Sequence, residues 1–327
     1  MKTLIAAGLL LVSTALPEVD RFQSSLAPIT GTWRARLSEW STRNNGARRW
    51  VSLDLRSDDG DRFGTSVPTE DLEAAGVRGD RWSGGDVRFA LKRDAGTFDF
   101  EGAFDAGRGA GTFRFTANGG FVAAVQSGGR QLTVDDVLKL ATHDVSRSFM
   151  AEIEAQGYKG LDLDDFVKMR IHGVDAEYII AMRKAGHDKL SVDQLITTRI
   201  HGATPAFVQE MRAAGFDRLD LDELVQMRIH GVTADYVKEL TALGFKNLSV
   251  DDLVKMRIHG VTPQFIRELK ELGYGAVSKD RLVEFRIHGV DADFIRDVQK
   301  AGLKNMSEQD LVDLSIHGGR RWLRRMQ

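Results

Sequence analysis

The chain of 327 residues has no cysteine, which excludes disulfides, thiolate zinc sites, iron–sulfur clusters, cysteine nucleophiles and lipobox acylation together. It also has no surplus of charge. With 45 Lys and Arg against 47 Asp and Glu the net charge is −2, which supplies no global field for a phosphate backbone or an anionic bilayer, and no nucleic-acid partner is expected. No His-Glu-x-x-His, no Ser/His/Asp order and no paired-carboxylate motif stands out. The chain is therefore read as a non-enzyme with no catalytic residue, no cofactor-binding residue and no metal ligand. Long apolar runs are missing beyond residues 4–12, which follow Lys2 and precede the small residues Ser13, Thr14 and Ala15. That run is shorter than the roughly 18 apolar residues a spanning helix needs, so residues 1–15 read as a secretory signal peptide. The expected destination is periplasmic or secreted, with no integral membrane span after signal cleavage.

What the chain does contain falls into two textures. Over residues 28–129 apolar and polar residues alternate, as in Val51-Ser52-Leu53-Asp54-Leu55, Val87-Arg88-Phe89-Ala90-Leu91, the stretch from Phe98 to Phe104, and Phe113-Arg114-Phe115. This predicts a small antiparallel β domain whose last three strands form a meander. Asp94-Ala95-Gly96 and the glycine-rich 105–111 are read as hairpin turns in which glycine supplies positive φ. A phosphate cradle is rejected at 105–111, because a strand and not a helix N-terminus follows. Trp33 and Trp50, with the phenylalanines, are expected on the inner face.

Residues 131–327 repeat with a period of 29, marked by His143, His172, His201, His230, His259, His288 and His317. Each of the seven repeats has an oxygen-bearing N-cap for a first helix at Thr133, Asp162, Ser191, Asp220, Ser249, Ser278 or Ser307. That helix stops at a glycine after the histidine, except in the first copy, where Asp144 stands in its place. A second helix opens at Ser146, Asp175, Thr204, Thr233, Thr262 or Asp291 and closes at Gly157, Gly186, Gly215, Gly244, Gly273 or Gly302. On a helical wheel Val250, Leu253, Val254 and Ile258 share one face of the first helix, and Phe265, Ile266, Leu269 and Leu272 share one of the second. One hairpin alone buries neither face, so stacking is required. The predicted fold is α+β: a small antiparallel β-sheet domain followed by an α-solenoid of ~29-residue helix–turn–helix repeats with a basic C-terminal cap.

Two polar ladders run through the repeats. His172, His201, His230, His259 and His288 end the first helices beside unpaired carbonyls and are read as caps, since neighbouring helices about 8–10 Å apart do not bring equivalent nitrogens to one ion. Arg170, Arg199, Arg228, Arg257 and Arg286 fall on the apolar face, where a guanidinium needs a partner. They are expected to bond across the repeat interface to carbonyls or to a carboxylate series, Glu152, Glu210, Glu239, Glu268 and Asp297; a row that binds an acidic peptide or polyanion is the functional reading. Glu177, Ala206, Asp235, Gln264 and Asp293 vary from repeat to repeat, as residues in contact with a partner do.

The segments from Arg93 to Gly102 and from Phe113 to Asn118, with the repeated Asp-Leu-Val-Lys-Met-Arg-Ile-His-Gly-Val, resemble the extracytoplasmic C-terminal region of some bacterial membrane proteins of the BlaR-type M56 antirepressor peptidase group. The resemblance covers nearly the whole mature chain. The membrane helices and zinc motif of that peptidase are missing, so no catalytic residue carries over. What the resemblance implies is an exported sensory or interaction module without its protease. The expected function is a non-catalytic scaffold that presents the helical array to a protein or peptide partner. The rival is a β domain that binds a small molecule or glycan, with Trp33, Trp40, Trp50 and Trp82 as its evidence and the repeats as spacer.

Overall fold

The computed structural model describes residues 27–42, 46–74 and 84–326, so the signal peptide reading lies outside the described residues. The chain divides into two compact units, one ending at Ala176 and the other beginning at Glu177.

Among its described residues the first unit holds seven strands: β1 (Ile29–Thr42), β2 (Gly46–Ser57), β3 (Arg62–Pro68), β4 (Leu72–Ala74), β5 (Gly84–Arg93), β6 (Gly96–Asp105) and β7 (Arg108–Ala117). They form one antiparallel sheet in the order β3-β2-β1-β7-β6-β5-β4, with β5-β6-β7 as the expected meander. The edge strands β3 and β4 are joined only by the turn Thr69–Asp71. Six strand intervals amount to about 29 Å in a flat sheet, more than so short a link spans, so the sheet must curl until its edges approach. Alternation then assigns the faces: Trp33, Val51, Leu53, Leu55, Phe89, Phe98, Phe100, Phe113 and Phe115 are all buried on the inner one.

Trp33 is 1% exposed, meets Phe89 edge-on with centroids 5.4 Å apart, and donates its indole N–H to the Glu101 carbonyl at 3.1 Å. Gly102 and Gly109 make room for it, since a Cβ there would lie 2.7 and 2.8 Å from the indole. This revises the reading of the glycine-rich stretch. The β6–β7 turn needs positive φ only at Ala106 and Gly107, and Gly109 and Gly111 lie within β7. Gly96 likewise has no positive φ; its Cβ would meet the Phe115 ring at 2.6 Å. A second revision concerns residues 118–127, which fall in the stretch read as β. Asn118 accepts from the amides of Gly120 and Phe121 and starts a helix, α1 (Gly119–Ser127), that buries Phe121, Val122 and Val125.

Next come α2 (Val134–Thr142), α3 (Arg147–Ala155) and α4 (Leu163–Ile171). Helix α2 packs against β3, β6, β7 and α4. The sheet is tied to α3 by charge: Asp94 accepts from the Arg147 backbone at 2.8 Å and from its guanidinium at 2.6 and 2.9 Å.

The second unit continues the alternation with α5 (Ala176–Lys184), α6 (Val192–His201), α7 (Pro205–Ala213), α8 (Leu221–Ile229), α9 (Ala234–Ala242), α10 (Val250–Ile258), α11 (Pro263–Glu271), α12 (Lys279–Ile287), α13 (Ala292–Lys300), α14 (Glu308–Ile316) and α15 (Gly319–Met326). First helices pack on first helices, from α6 through α14, and second helices on second helices, from α7 through α15. One apolar cluster runs from Ala185 to Leu323. The boundaries follow the chemistry of the caps. All seven first-helix N-caps accept from the amide three residues on. The glycines after the histidines have φ between 66 and 88°, and in repeats two and four to six the valine after each reaches back to a buried residue, as Val261 N–H does to Met256 O at 2.8 Å.

Candidate functional site

The site is built at the C-terminal ends of the first helices. At about 100° per residue the buried arc of α10 is Val250, Leu253, Val254 and Met256, with Arg257 at its middle. The guanidinium of Arg257 lies over the Tyr236 ring of the preceding repeat, 4.5 Å from its centroid, and its Nε donates to the Gly231 carbonyl at 2.8 Å. The arrangement recurs. Arg199 covers Tyr178 at 4.1 Å, Arg228 covers Phe207 at 4.8 Å, and Arg286 covers Phe265 at 5.1 Å while donating to the His259 carbonyl at 3.4 Å. In the first unit Arg170 covers Phe149 at 5.3 Å and bonds the Asp144 carbonyl at 3.1 Å and its carboxylate. The guanidinium is therefore held by a ring and, at Arg170, Arg257 and Arg286, by a carbonyl at the end of the preceding first helix. Of the carboxylate series, Glu239 faces Arg267, not a ladder arginine, at 3.3 Å.

At the C-terminal end of the array the arginine position is Ser315, whose hydroxyl donates to the His288 carbonyl at 2.7 Å. The guanidinium comes instead from α15. Arg320 covers Phe294 at 5.3 Å and bonds the Gly289 carbonyl and the Asp291 carboxylate, while Leu323 is buried beneath. The basic terminal segment is thus a helix with one buried face.

Ile258 is a correction to the helical wheel. It sits outside the buried arc and is exposed, and so are Ile200, Ile229, Ile287 and Ile316 in the second unit and Ile171 in the first, each between 52% and 57%. Each immediately precedes a histidine of the 29-residue series. The signal for this row was in the sequence: six isoleucines at one position of a 29-residue period, with only Thr142 of the first repeat departing. Thr142 is buried and bonds the Leu138 carbonyl at 2.8 Å.

His172, His230, His259 and His288 occupy the C-cap, with the exposed isoleucine on one side and the left-handed glycine on the other; His201 is the last residue of its helix. His143 differs, because burial first and Lys139 second hold its pKa below the usual range. Among the described residues no group of three or more His, Asp or Glu side chains is placed to hold a metal ion. Glu177, Ala206, Asp235, Gln264 and Asp293 are all exposed in the first turns of second helices; Gln264 bonds Glu268 at 2.9 Å and Asp293 pairs with Arg296 at 2.7 Å. Three or four residues connect each first helix, with its isoleucine in the last turn, to the second helix that carries these residues.

The tryptophans separate. Trp33 belongs to the core of the sheet, Trp50 is half-buried on the opposite parity of β2, Trp40 lies in β1, and Trp82 falls outside the described residues. Among the described residues no helix is long and apolar enough to cross a membrane. Neither a scan of protein-family models nor a search of curated proteins returns a match.

Proposed function

We propose that this protein is a non-catalytic, exported binding scaffold whose helical array holds an extended peptide segment of a partner protein along the isoleucine row. One observation carries the reading: five isoleucines more than half exposed at one repeating position of the second unit. Exposed apolar side chains scattered singly need no explanation, but a continuous row of them is a recognition surface. The spacing supports an extended partner. Packed helices stand about 8–10 Å apart and one three-residue turn of an extended polyproline II chain rises about 9 Å, so an apolar residue at every third position of such a chain meets one isoleucine after another. The neighbouring turns, with Ala206, Asp235, Gln264 and Asp293, supply contacts that differ from repeat to repeat and set the register. Export rests on the leader-like first fifteen residues, and the resemblance to the extracytoplasmic region of BlaR-type proteins supports a sensory or interaction role.

The test is a photo-crosslinking residue at Ile258, with a second at Asp251 near the start of the same helix as control, in the full chain and in its native compartment. A polypeptide captured from Ile258, not from Asp251, and lost on Ile229→Asp with the helical signal intact is the expected result. Equal capture at both positions, or capture that survives Ile229→Asp, overturns the proposal.

A further inference from the structure

On the outer face of the sheet, cross-strand register places arginine opposite arginine twice. Arg56 of β2 pairs with Arg62 of β3, and Arg36 of β1 pairs with Arg108 of β7. Between these pairs Arg34 of β1 stands opposite Asp54 of β2. All five arginines are exposed, and none of their guanidinium groups makes an ion pair or hydrogen bond with a described residue. Like charges directly opposite on one sheet face destabilise it. Elsewhere the same sheet avoids this: Asp99 stands opposite Arg114, and Arg88 pairs with Glu101 at 3.3 Å. The Arg56–Arg62 pair has no acidic residue opposite it, and Arg108 of the second pair stands opposite Asp105 of β6 without forming an ion pair with it, so two like-charge pairs on one face are the opposite of what stability alone selects.

The pairs lie on a diagonal. Arg56 aligns with Thr32 and Arg36 lies four residues further along β1, so the stripe from Arg62 to Arg108 crosses four strands and is about 20 Å long. Two clefts follow it, one of about 170 Å³ lined by Thr32, Arg34 and Asp54 and one of about 570 Å³ lined by Arg36, Ser52 and Arg108. By strand alternation Trp50 is on this same face, two residues from Ser52.

We infer that this stripe binds an acidic glycan, a chain of sugars carrying carboxylate groups. Guanidinium groups match carboxylates in planar, bidentate geometry. Asp54, in the middle of the stripe, repels a bare polyanion but accepts from sugar hydroxyls, and the hydroxyls of Thr32 and Ser52 add to that set. A single indole suits one sugar face, whereas sequence-tolerant single-strand binding stacks successive bases on several aromatics. A peptide adding as a strand needs a sheet edge, and this site is a face. The site lies in the first unit and is independent of the isoleucine row.

The test titrates the full chain with polygalacturonate, with neutral dextran, with an oligothymidine and with polyglutamate. Polygalacturonate is expected to bind most tightly, with an affinity that falls as salt rises, and dextran not at all. Replacing Arg36 and Arg108 together by Gln should weaken polygalacturonate about tenfold or more while the melting temperature holds or rises, because the variant also relieves a like-charge pair. Asp54→Ala should shift preference from polygalacturonate toward oligothymidine. No binding of polygalacturonate, tighter binding of oligothymidine or polyglutamate, or a lowered melting temperature in the double variant each overturns the inference. Ile229→Asp should leave this titration unchanged, so failure here and failure of the peptide row are read separately.

Discussion

At the scale of single residues, Asp144 shows what holds an unfavourable backbone in place. It occupies the position that glycine takes in the other repeats, with φ of 55°, and its carboxylate reaches Arg170 and, at 3.5 Å, Arg93. An Asp tolerates this left-handed conformation better than Ala does, because its short polar side chain bonds locally. Asp144→Ala therefore keeps the backbone cost and loses both partners, whereas Asp144→Gly loses the partners and relieves the backbone. Denaturant unfolding should find the Ala variant less stable than the Gly variant by about 1 kcal/mol; equal stabilities would remove strain from the account. Tyr236 gives a pH signature. It is buried, it donates to the Val261 carbonyl at 2.7 Å, and burial pushes its pKa up to about 12, with Arg257 opposing. The unfolded chain loses this proton near the ordinary tyrosine value of 10 and the folded chain does not. Stability from this group is thus complete below about pH 10 and is lost as pH rises toward 12. Tyr236→Phe should flatten the stability profile over that window and cost about 1 kcal/mol at neutral pH, where the Val261 carbonyl loses its donor.

At the scale of elements, the arginine ladder joins each first helix to the repeat before it. A guanidinium over a ring with its Nε on a carbonyl uses planarity as well as charge, and a lysine reproduces only the charge. Arg257→Lys should accordingly lower stability nearly as much as Arg257→Met, by about 1–2 kcal/mol, and a double-mutant cycle with Tyr236→Leu should show a coupling of about 0.5–1 kcal/mol. A lysine that restores full stability would reduce the ladder to a charge effect. The same elements show how far the sequence could be read. The helix ends were legible because each is fixed locally, by a side-chain oxygen at the N-cap and a glycine at the left-handed position. The paired need of the arginines was legible too, since a guanidinium on an apolar face demands acceptors. The aromatic half of its cage was not, because Tyr236 and Arg257 meet only when two repeats stack. Ile258 was misplaced for a related reason. Apolar character alone assigned it to the core, yet it stands about 120° from the middle of the buried arc, which Met256 closes on the other side. Helix α1 was obscured by glycines at 119 and 120, which argue against a helix unless the Asn118 cap is weighed first. The arginine stripe on the sheet was invisible without register, since Arg36 and Arg108 are 72 residues apart in sequence and opposite each other only across β1 and β7.

At the scale of the whole molecule, a chain built from one repeated hairpin has stability that adds up over repeats and the interfaces between them. This has a sharp consequence for deletions within the second unit. Removing residues 229–257 joins Arg228 directly to Ile258, inside a helix, with no net change of phase. Leu224 and Met227 stay in the core, Arg228 stays over Phe207, and Ile258, His259 and Gly260 take the places of Ile229, His230 and Gly231. Such a chain should fold cooperatively, with circular dichroism reduced by two helices and a melting temperature lowered by the loss of one interface. Removing two residues fewer, 229–255, inserts Met256 and Arg257 after Arg228 and turns everything downstream by about 200° around the helix axis. The left-handed glycine, the capping histidine and α11 would then start from the wrong side of the stack, and the array should unravel from that point, exposing its amides to rapid hydrogen exchange from residue 256 onward. If both deletions melt alike, the repeats are not locked in phase, and neither the arginine cages nor the isoleucine row is a continuous feature that a partner could read.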